Sequence, residues 1–193
     1  MAAKPTLSRA YFESLYASDP DPWKFASSAY EKEKYAKTLA ALPRPRYAAG
    51  LEVGCSIGVL TRDVARRCDA LLALDVASAP LIEAQRRCAD CPNVRFEQMT
   101  VPTRWPNGTF DLILLSEVVY YLCARDAARL GAHVAQSLRP QGDVVLVHWT
   151  GETDYPLRGD EAAELFIAAL GGPTLVLRGD RYPDFRLDVL RRR

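Results

Sequence analysis

The chain has 193 residues, 49% of them hydrophobic, which is enough to bury the core of one ordinary domain. Its net charge of +1 builds no field suited to nucleic acid or an anionic membrane, and no apolar run approaches the ~18 residues of a membrane span. Five cysteines, an odd number, do not suit a closed disulfide framework and point to a reducing cytoplasm, and the start, Met1-Ala2-Ala3-Lys4-Pro5, has no signal-peptide core.

In chain order, residues 1–45 read as a helical segment, with a periodic helix over 30–42 that stops before Pro43. The run from Leu51 to Gly58 reads as a strand entering a glycine-bearing turn, and 59–69 as the helix that follows. Residues 70–75 form the continuous apolar run of a buried parallel strand. Pro80 opens the next helix. Cys88-Ala89-Asp90-Cys91, followed by Pro92, marks its end, and no second Cys or His pair stands at zinc-site spacing, so no metal is expected. Short strands are predicted at 94–96 and 110–116, with a loop over 102–108. Tyr120 and Tyr121 open a helix after Glu117, and a helix over about 125–138 ends at Pro140-Gln141-Gly142. A fifth strand covers 143–149, a helix 160–170 ends at Gly171-Gly172, and strands 174–177 and 185–190 flank a turn at Gly179-Asp180. The alternation predicts an α/β fold: a Rossmann-like, doubly wound, seven-stranded sheet with one antiparallel strand near the edge and helices on both faces. Residues 46–193 are its core, 1–45 a lid, and the whole chain, 1–193, a single domain.

Such sheets bind ligands beyond the carboxyl ends of their strands. That end carries Gly54, Asp75, Gln98-Met99-Thr100, Ser116-Glu117 and His148-Trp149. Asp75 stands 21 positions after Gly54, a spacing that suits an acid accepting both hydroxyls of a ribose. No glycine follows Gly58 until Gly108, and a carboxylate at Glu52 would repel a pyrophosphate. The same carboxylate suits a ligand with an ammonium and a sulfonium, such as S-adenosyl-L-methionine (SAM), rather than a nicotinamide dinucleotide. The run Glu52-x-Gly54-x-Ser56-x-Gly58 resembles the acid-x-Gly-x-Gly-x-Gly motif of class I SAM-dependent methyltransferases, with Ser56 at the middle glycine. The resemblance implies a cofactor site of Glu52, Gly54, Cys55, Ser56, Gly58, Asp75, Val76, Met99, Thr100, Val101 and Ser116, with Trp23 and Tyr30 reaching it from the N-terminal segment.

The stretch Phe110-Asp111-Leu112-Ile113-Leu114-Leu115-Ser116-Glu117-Val118-Val119-Tyr120-Tyr121-Leu122, and Asp21-Pro22-Trp23 with Tyr30-Glu31 and Lys34, resemble the NodS-type methyltransferases. His148-Trp149, Asp154-Tyr155-Pro156-Leu157 and Gly159-Asp160 are similar to relatives found beside PIG-L-type sugar deacetylases. The likeness covers about residues 11–190, and it departs from the pattern at Thr100, where many relatives have the Asp that reads the adenine amino group. It implies N-methylation of a free amine on a small saccharide-like acceptor such as an amino sugar, with a deacetylase acting upstream. Methylation of oxygen on another small metabolite, or a non-catalytic SAM-binding subunit, are the alternatives.

Methyl transfer from a sulfonium mainly requires placing the nucleophile and excluding water. His148 is either a general base or a residue packed at a strand end, and His133 is an ordinary surface or packing residue. Glu117 either faces the amine or is a solvated helix N-terminal acid. Adjacent aromatics on a helix point to different faces, so at most one of Tyr120 and Tyr121 lines a pocket. Catalysis is assigned to His148, Glu117 and Tyr121, and acceptor binding to Tyr120 and Trp149. Trp23 is placed over the adenosine, and Tyr30 or Lys34 at the methionine carboxylate, with plain packing of that segment left open.

Overall fold

The computed structural model describes residues 4–193, which divide into two compact units: residues 8–100, and residues 101–193 with the segment 4–7. The strands of the seven-stranded sheet run in the order β3-β2-β1-β4-β5-β7-β6.

The first unit contains α1 (Arg9–Ser18), α2 (Ala29–Ala41), β1 (Tyr47–Val53), α3 (Val59–Ala65), β2 (Cys68–Asp75), α4 (Ser78–Arg87) and β3 (Val94–Gln98). Serines start the first two helices: Ser8 accepts from the Tyr11 amide and Ser28 from that of Glu31, each satisfying a donor the helix leaves unpaired. The parallel register sets Val53 beside Leu74 and Asp75 beside Gln98, so the ends of β1, β2 and β3 are aligned. Leu51, Val53, Leu71, Ala73 and Leu74 are buried, as a strand covered on both faces requires. Gly58 caps α3 at φ +77, and a Cβ there would lie 2.8 Å from Ala84 Cα. Only glycine supplies that conformation cheaply and lets α4 approach so closely.

The second unit contains β4 (Phe110–Ser116), α5 (Ala124–Ser137), β5 (Leu138–Trp149), α6 (Gly159–Leu170), β6 (Thr174–Arg181) and β7 (Phe185–Arg192). Strands β4 and β5 are parallel, whereas β7 is antiparallel to both β5 and β6. A Cβ on Gly159 would fall on the Trp149 carbonyl oxygen, so glycine is needed where α6 starts against the end of β5. Gly131 does the same between α5 and α6, where a Cβ would meet Ala169 Cβ at 2.9 Å.

Several expected boundaries change. The N-terminal segment carries a helix, α1, that periodicity did not single out. Residues 59–69 shorten to a helix ending at Ala65. Tyr120 and Tyr121 lie in a single 3-10 turn, Val119–Tyr121, and the helix proper begins at Ala124. Strand β5 begins at Leu138, which pairs with Phe110 of β4, and runs through Pro140-Gln141-Gly142 as a register irregularity, with Gln141 at φ +61, before regular pairing with β4 and β7 starts at Asp143. The hairpin turn falls after Arg181 rather than at Gly179-Asp180, which pair with Asp188 and Leu187. Among the described residues no helix is long and apolar enough to cross a membrane.

Candidate active site

In the first unit the turn after β1 is built by hydrogen bonds that close on themselves. The Gly54 and Cys55 amides both donate to the Leu74 carbonyl, at 2.8 and 2.9 Å, and Gly58 donates to that of Cys55. Gly54 at φ +78 and Ser56 at φ +49 make the turn. A phosphate cradle needs amides aimed outward. Here the Gly54, Cys55, Ser56 and Gly58 amides are all taken within the fold, which suits a ligand without a pyrophosphate.

Asp75 organises this end. Its Oδ2 accepts from the Ser56 amide and its Oδ1 from the Ala77 amide, both at 2.9 Å. Burial pushes its pKa up to about 6 against the opposing pull of these donors. Each carboxylate oxygen has a further lone pair, so two ribose hydroxyls can still be accepted. Glu52 is 2% exposed, and burial raises its pKa to about 7, with the neighbouring Asp75 adding to the shift. The Thr61 hydroxyl offsets a part of this without reaching hydrogen-bond geometry, and Glu52 Oε2 has no partner. A buried carboxyl oxygen with an unused acceptor suits an ammonium.

The remaining first-unit candidates differ in what they offer. The Cys55 side chain packs with Ala73 and Leu81 in the core, so only its backbone is left to face a ligand. Val76 is half-buried, and its carbonyl accepts from Gln98 Nε2 at 3.0 Å. Met99 is buried, its amide bonded to the Asp75 carbonyl, while Thr100 is exposed. Trp23 packs edge to face on Tyr16, 5.8 Å between centroids, and stacks on Phe25. Lys34 is 2% exposed, pairs with Glu31 at 2.9 Å and lies 5.2 Å from the centre of the Tyr30 ring. Burial lifts the Cys88 thiol to about 11, so Cys88 offers little reactivity.

Two residues that sequence reading missed belong to α1. The Tyr16 hydroxyl lies 2.5 Å from Ser56 Oγ, and Glu13 Oε1 accepts from the Ser78 amide and from Gln98 Nε2. The small polar residue at the middle-glycine position was the one local signal that something would bond there.

The second unit gathers Glu117, Tyr120, Tyr121, His148 and Trp149 at the ends of β4 and β5. Ser116, the last residue of β4, is half-buried there, and Val101 stands half-buried before Pro102. Glu117 sits at φ +57, an uncommon conformation for a non-glycine residue that can mark a functional position. Its Oε2 accepts from the Tyr120 hydroxyl at 2.6 Å and from the Trp149 amide at 2.9 Å. It is therefore a held carboxylate and not a loosely solvated helix acid.

His148 is fully buried, and its Nε2 accepts the Val119 amide proton at 3.2 Å. That bond places the ring proton on Nδ1 and occupies the lone pair a base would use. Tyr120 and Tyr121 are not on opposite faces of a helix. They touch edge to face with centroids 4.6 Å apart, and Tyr120 also packs on His148 at 5.5 Å. Burial holds both hydroxyls well above their ordinary range, so both stay protonated. Tyr155 joins them from the segment after β5, stacked on Tyr120 at 5.1 Å. His133 stacks on Trp105 at 5.6 Å and bonds the Pro102 carbonyl, as a packing residue does. Among the described residues no group of three His, Cys, Asp or Glu side chains could hold a metal ion.

The family model for nodulation protein S (NodS) matches residues 12–148. The chain is 30% identical to nodulation protein S of Sinorhizobium fredii over 127 residues, 65% of this chain and 59% of that protein. It thus spans little more than half the length of the curated relatives it matches. A Pseudomonas syringae protein assigned to the methyltransferases is 38% identical, with a TM-score of 0.76 over 86% of this chain and 100% of the other. The N-methyltransferase NodS of Bradyrhizobium japonicum WM9, solved with S-adenosyl-L-homocysteine (SAH), has the same fold at 22% identity, with a TM-score of 0.76 over 95% and 97% of the two chains.

Proposed function

Because the chain belongs to the nodulation protein S family, we propose that it is a SAM-dependent methyltransferase that transfers a methyl group to a free amine on a small, saccharide-like acceptor. The observation that carries the cofactor is the buried pair Glu52 and Asp75 around a turn whose amides are already satisfied. Asp75 accepts the ribose hydroxyls and Glu52 the ammonium of the methionine part. Gly54 keeps side-chain atoms away from the ligand, and Ser56 and Gly58 shape the turn. Val76, Met99, Thr100, Val101 and Ser116 are assigned to the adenosine and methionine parts, with Trp23 and Tyr30 contributed by the N-terminal segment.

SAM supplies a methyl group on a sulfonium whose thioether leaves without being protonated. What remains for the chain is to bind, orient and deprotonate the acceptor. Glu117, held by Tyr120 and the Trp149 amide, takes the proton that an ammonium must lose before it can attack. Tyr121 and Trp149 flank the acceptor. His148 orients the turn that carries both tyrosines, through the Val119 amide. An amino sugar produced by an upstream deacetylase fits this chemistry. None of the five cysteines is in a disulfide, which suits a reducing compartment such as the cytoplasm.

The test is titration of SAH into the purified protein, followed by incubation with SAM and an amino sugar and location of the new methyl group by mass spectrometry and NMR. Binding of SAH and an N-methyl product, with unchanged activity in EDTA, is expected. A methyl group on oxygen or carbon, or loss of activity in EDTA, overturns the amine reading, and absence of SAH binding overturns the cofactor assignment.

A further inference from the structure

Tyr155 lies in the irregular segment between β5 and α6 and is tied to the turn after β4. Its ring stacks on Tyr120 with planes 23° apart, and meets Tyr121 edge to face at 4.7 Å and 71°. The Leu157 amide donates to the Tyr120 carbonyl at 3.2 Å, and Lys4 Nζ donates to the Asp154 carbonyl at 2.8 Å. Backbone and ring contacts therefore fix this segment on both sides of Tyr155.

The three rings are not equivalent. Tyr120 is 4% exposed and its hydroxyl is committed to Glu117, so it acts as the inner support. Tyr121 and Tyr155 are only half-buried, and they stand nearly perpendicular to each other. Two aromatic walls at that angle form a corner. One face can stack on the flat apolar side of a sugar ring, and π surface attracts an ammonium. The Glu117 carboxylate lies close enough to raise the Tyr121 hydroxyl further, which sets a negative charge beside the corner.

We propose that Tyr155 selects the acceptor, forming with Tyr121 a two-walled aromatic corner beside Glu117 that holds the ring and ammonium of an aminated saccharide. This rests on the amine reading above. Tyr121 falls within the stretch matched by the family model, residues 12–148, and Tyr155 falls beyond it. The corner thus joins a wall from the stretch the family model matches to one from the segment that follows it, where acceptor choice can differ among relatives.

The test compares steady-state methylation of glucosamine and of propylamine by the full-length protein and its Tyr155→Ala and Tyr155→Phe variants. Loss of one stacking wall should raise KM for glucosamine about tenfold and leave kcat within about twofold. Propylamine, with no ring to stack, loses only an ammonium–π contact, so its KM should rise by no more than about threefold, and Tyr155→Phe, which keeps the wall, should behave as wild type. SAH affinity should be unchanged throughout. If Tyr155→Ala does not fold, Tyr155→Leu keeps the bulk and carries the same expectation. Equal KM changes for both amines, a fall in kcat alone, or a parallel loss of SAH affinity would mean that Tyr155 only packs, and the proposal falls. An unchanged glucosamine KM in an active variant also overturns it while leaving the amine reading intact. A wild-type protein that binds SAH but methylates neither amine overturns both.

Discussion

The Tyr16 hydroxyl lies 2.5 Å from Ser56 Oγ, so the residue at the middle-glycine position of the cofactor motif also helps to anchor helix α1. Both groups are buried, with Tyr16 5% and Ser56 8% exposed, and Ser56 holds a left-handed backbone at φ +49. Ser56→Gly relieves that strain, by about 1 kcal/mol, but strands the Tyr16 hydroxyl at a cost of about 1–3 kcal/mol. The single variant should therefore be destabilised by about 1 kcal/mol. Combined with Tyr16→Phe, which removes the stranded group, it should return close to wild type. Urea unfolding of the four proteins of this cycle measures the coupling, and additive losses would show that the bond contributes nothing.

Asp75 both shapes the turn and is assigned to the ribose. Replacing it with Ala should weaken SAH binding by about 2–3 kcal/mol, the range for charge-assisted hydrogen bonds, as read by calorimetry. The same change releases the Ser56 and Ala77 amides and should lower the melting temperature. Gly54→Val should abolish SAH binding by filling space the ligand needs. Retained affinity in either folded variant would place the cofactor elsewhere.

The two raised carboxyls make opposite predictions for the free and the liganded protein. With folded pKa values of about 6 for Asp75 and about 7 for Glu52, both bind protons more tightly folded than unfolded. Their contribution to the free protein's stability is complete below the unfolded range near ~4 and is lost as pH rises through 6 and 7. An ammonium ligand prefers the ionised form of Glu52, so SAH affinity should instead increase over that interval, by at most about tenfold per pH unit for one site. Glu52→Gln should flatten the rise, and a pH-independent affinity in the wild type would exclude Glu52 as the ammonium partner.

His148 tests whether its Val119 bond or proton transfer matters. His148→Ala should cost about 2–4 kcal/mol of stability, since it leaves a cavity and an unpaired buried amide. His148→Asn, which can still accept a hydrogen bond, should recover a large part of the rate. A folded His148→Asn enzyme slowed by ~10²-fold, with SAH affinity intact, would restore the general-base role.

Much of this protein is legible residue by residue. The strand at 110–116 and the glycine turn from 54 to 58 were visible in the sequence because burial and left-handed backbone leave local marks. The antiparallel β7 followed from a hairpin at the chain's end, though its turn was misplaced because Gly179 and Asp180 stay paired in the ladder. Asp75 stood out by its spacing from Gly54. What the sequence could not determine was the use of each polar atom. Ser56 looked like an imperfect glycine until Tyr16, 40 residues away, was seen to bond it. His148 read equally as a base or as a packed strand-end residue, and only the Val119 amide, 29 residues away, shows that its Nε2 is occupied. Tyr155 carried no periodicity or motif that linked it to Tyr120. Backbone conformation and burial are recorded locally, one residue at a time. A hydrogen bond or ring contact between distant segments exists only once the chain has closed, and the tertiary structure alone decided those.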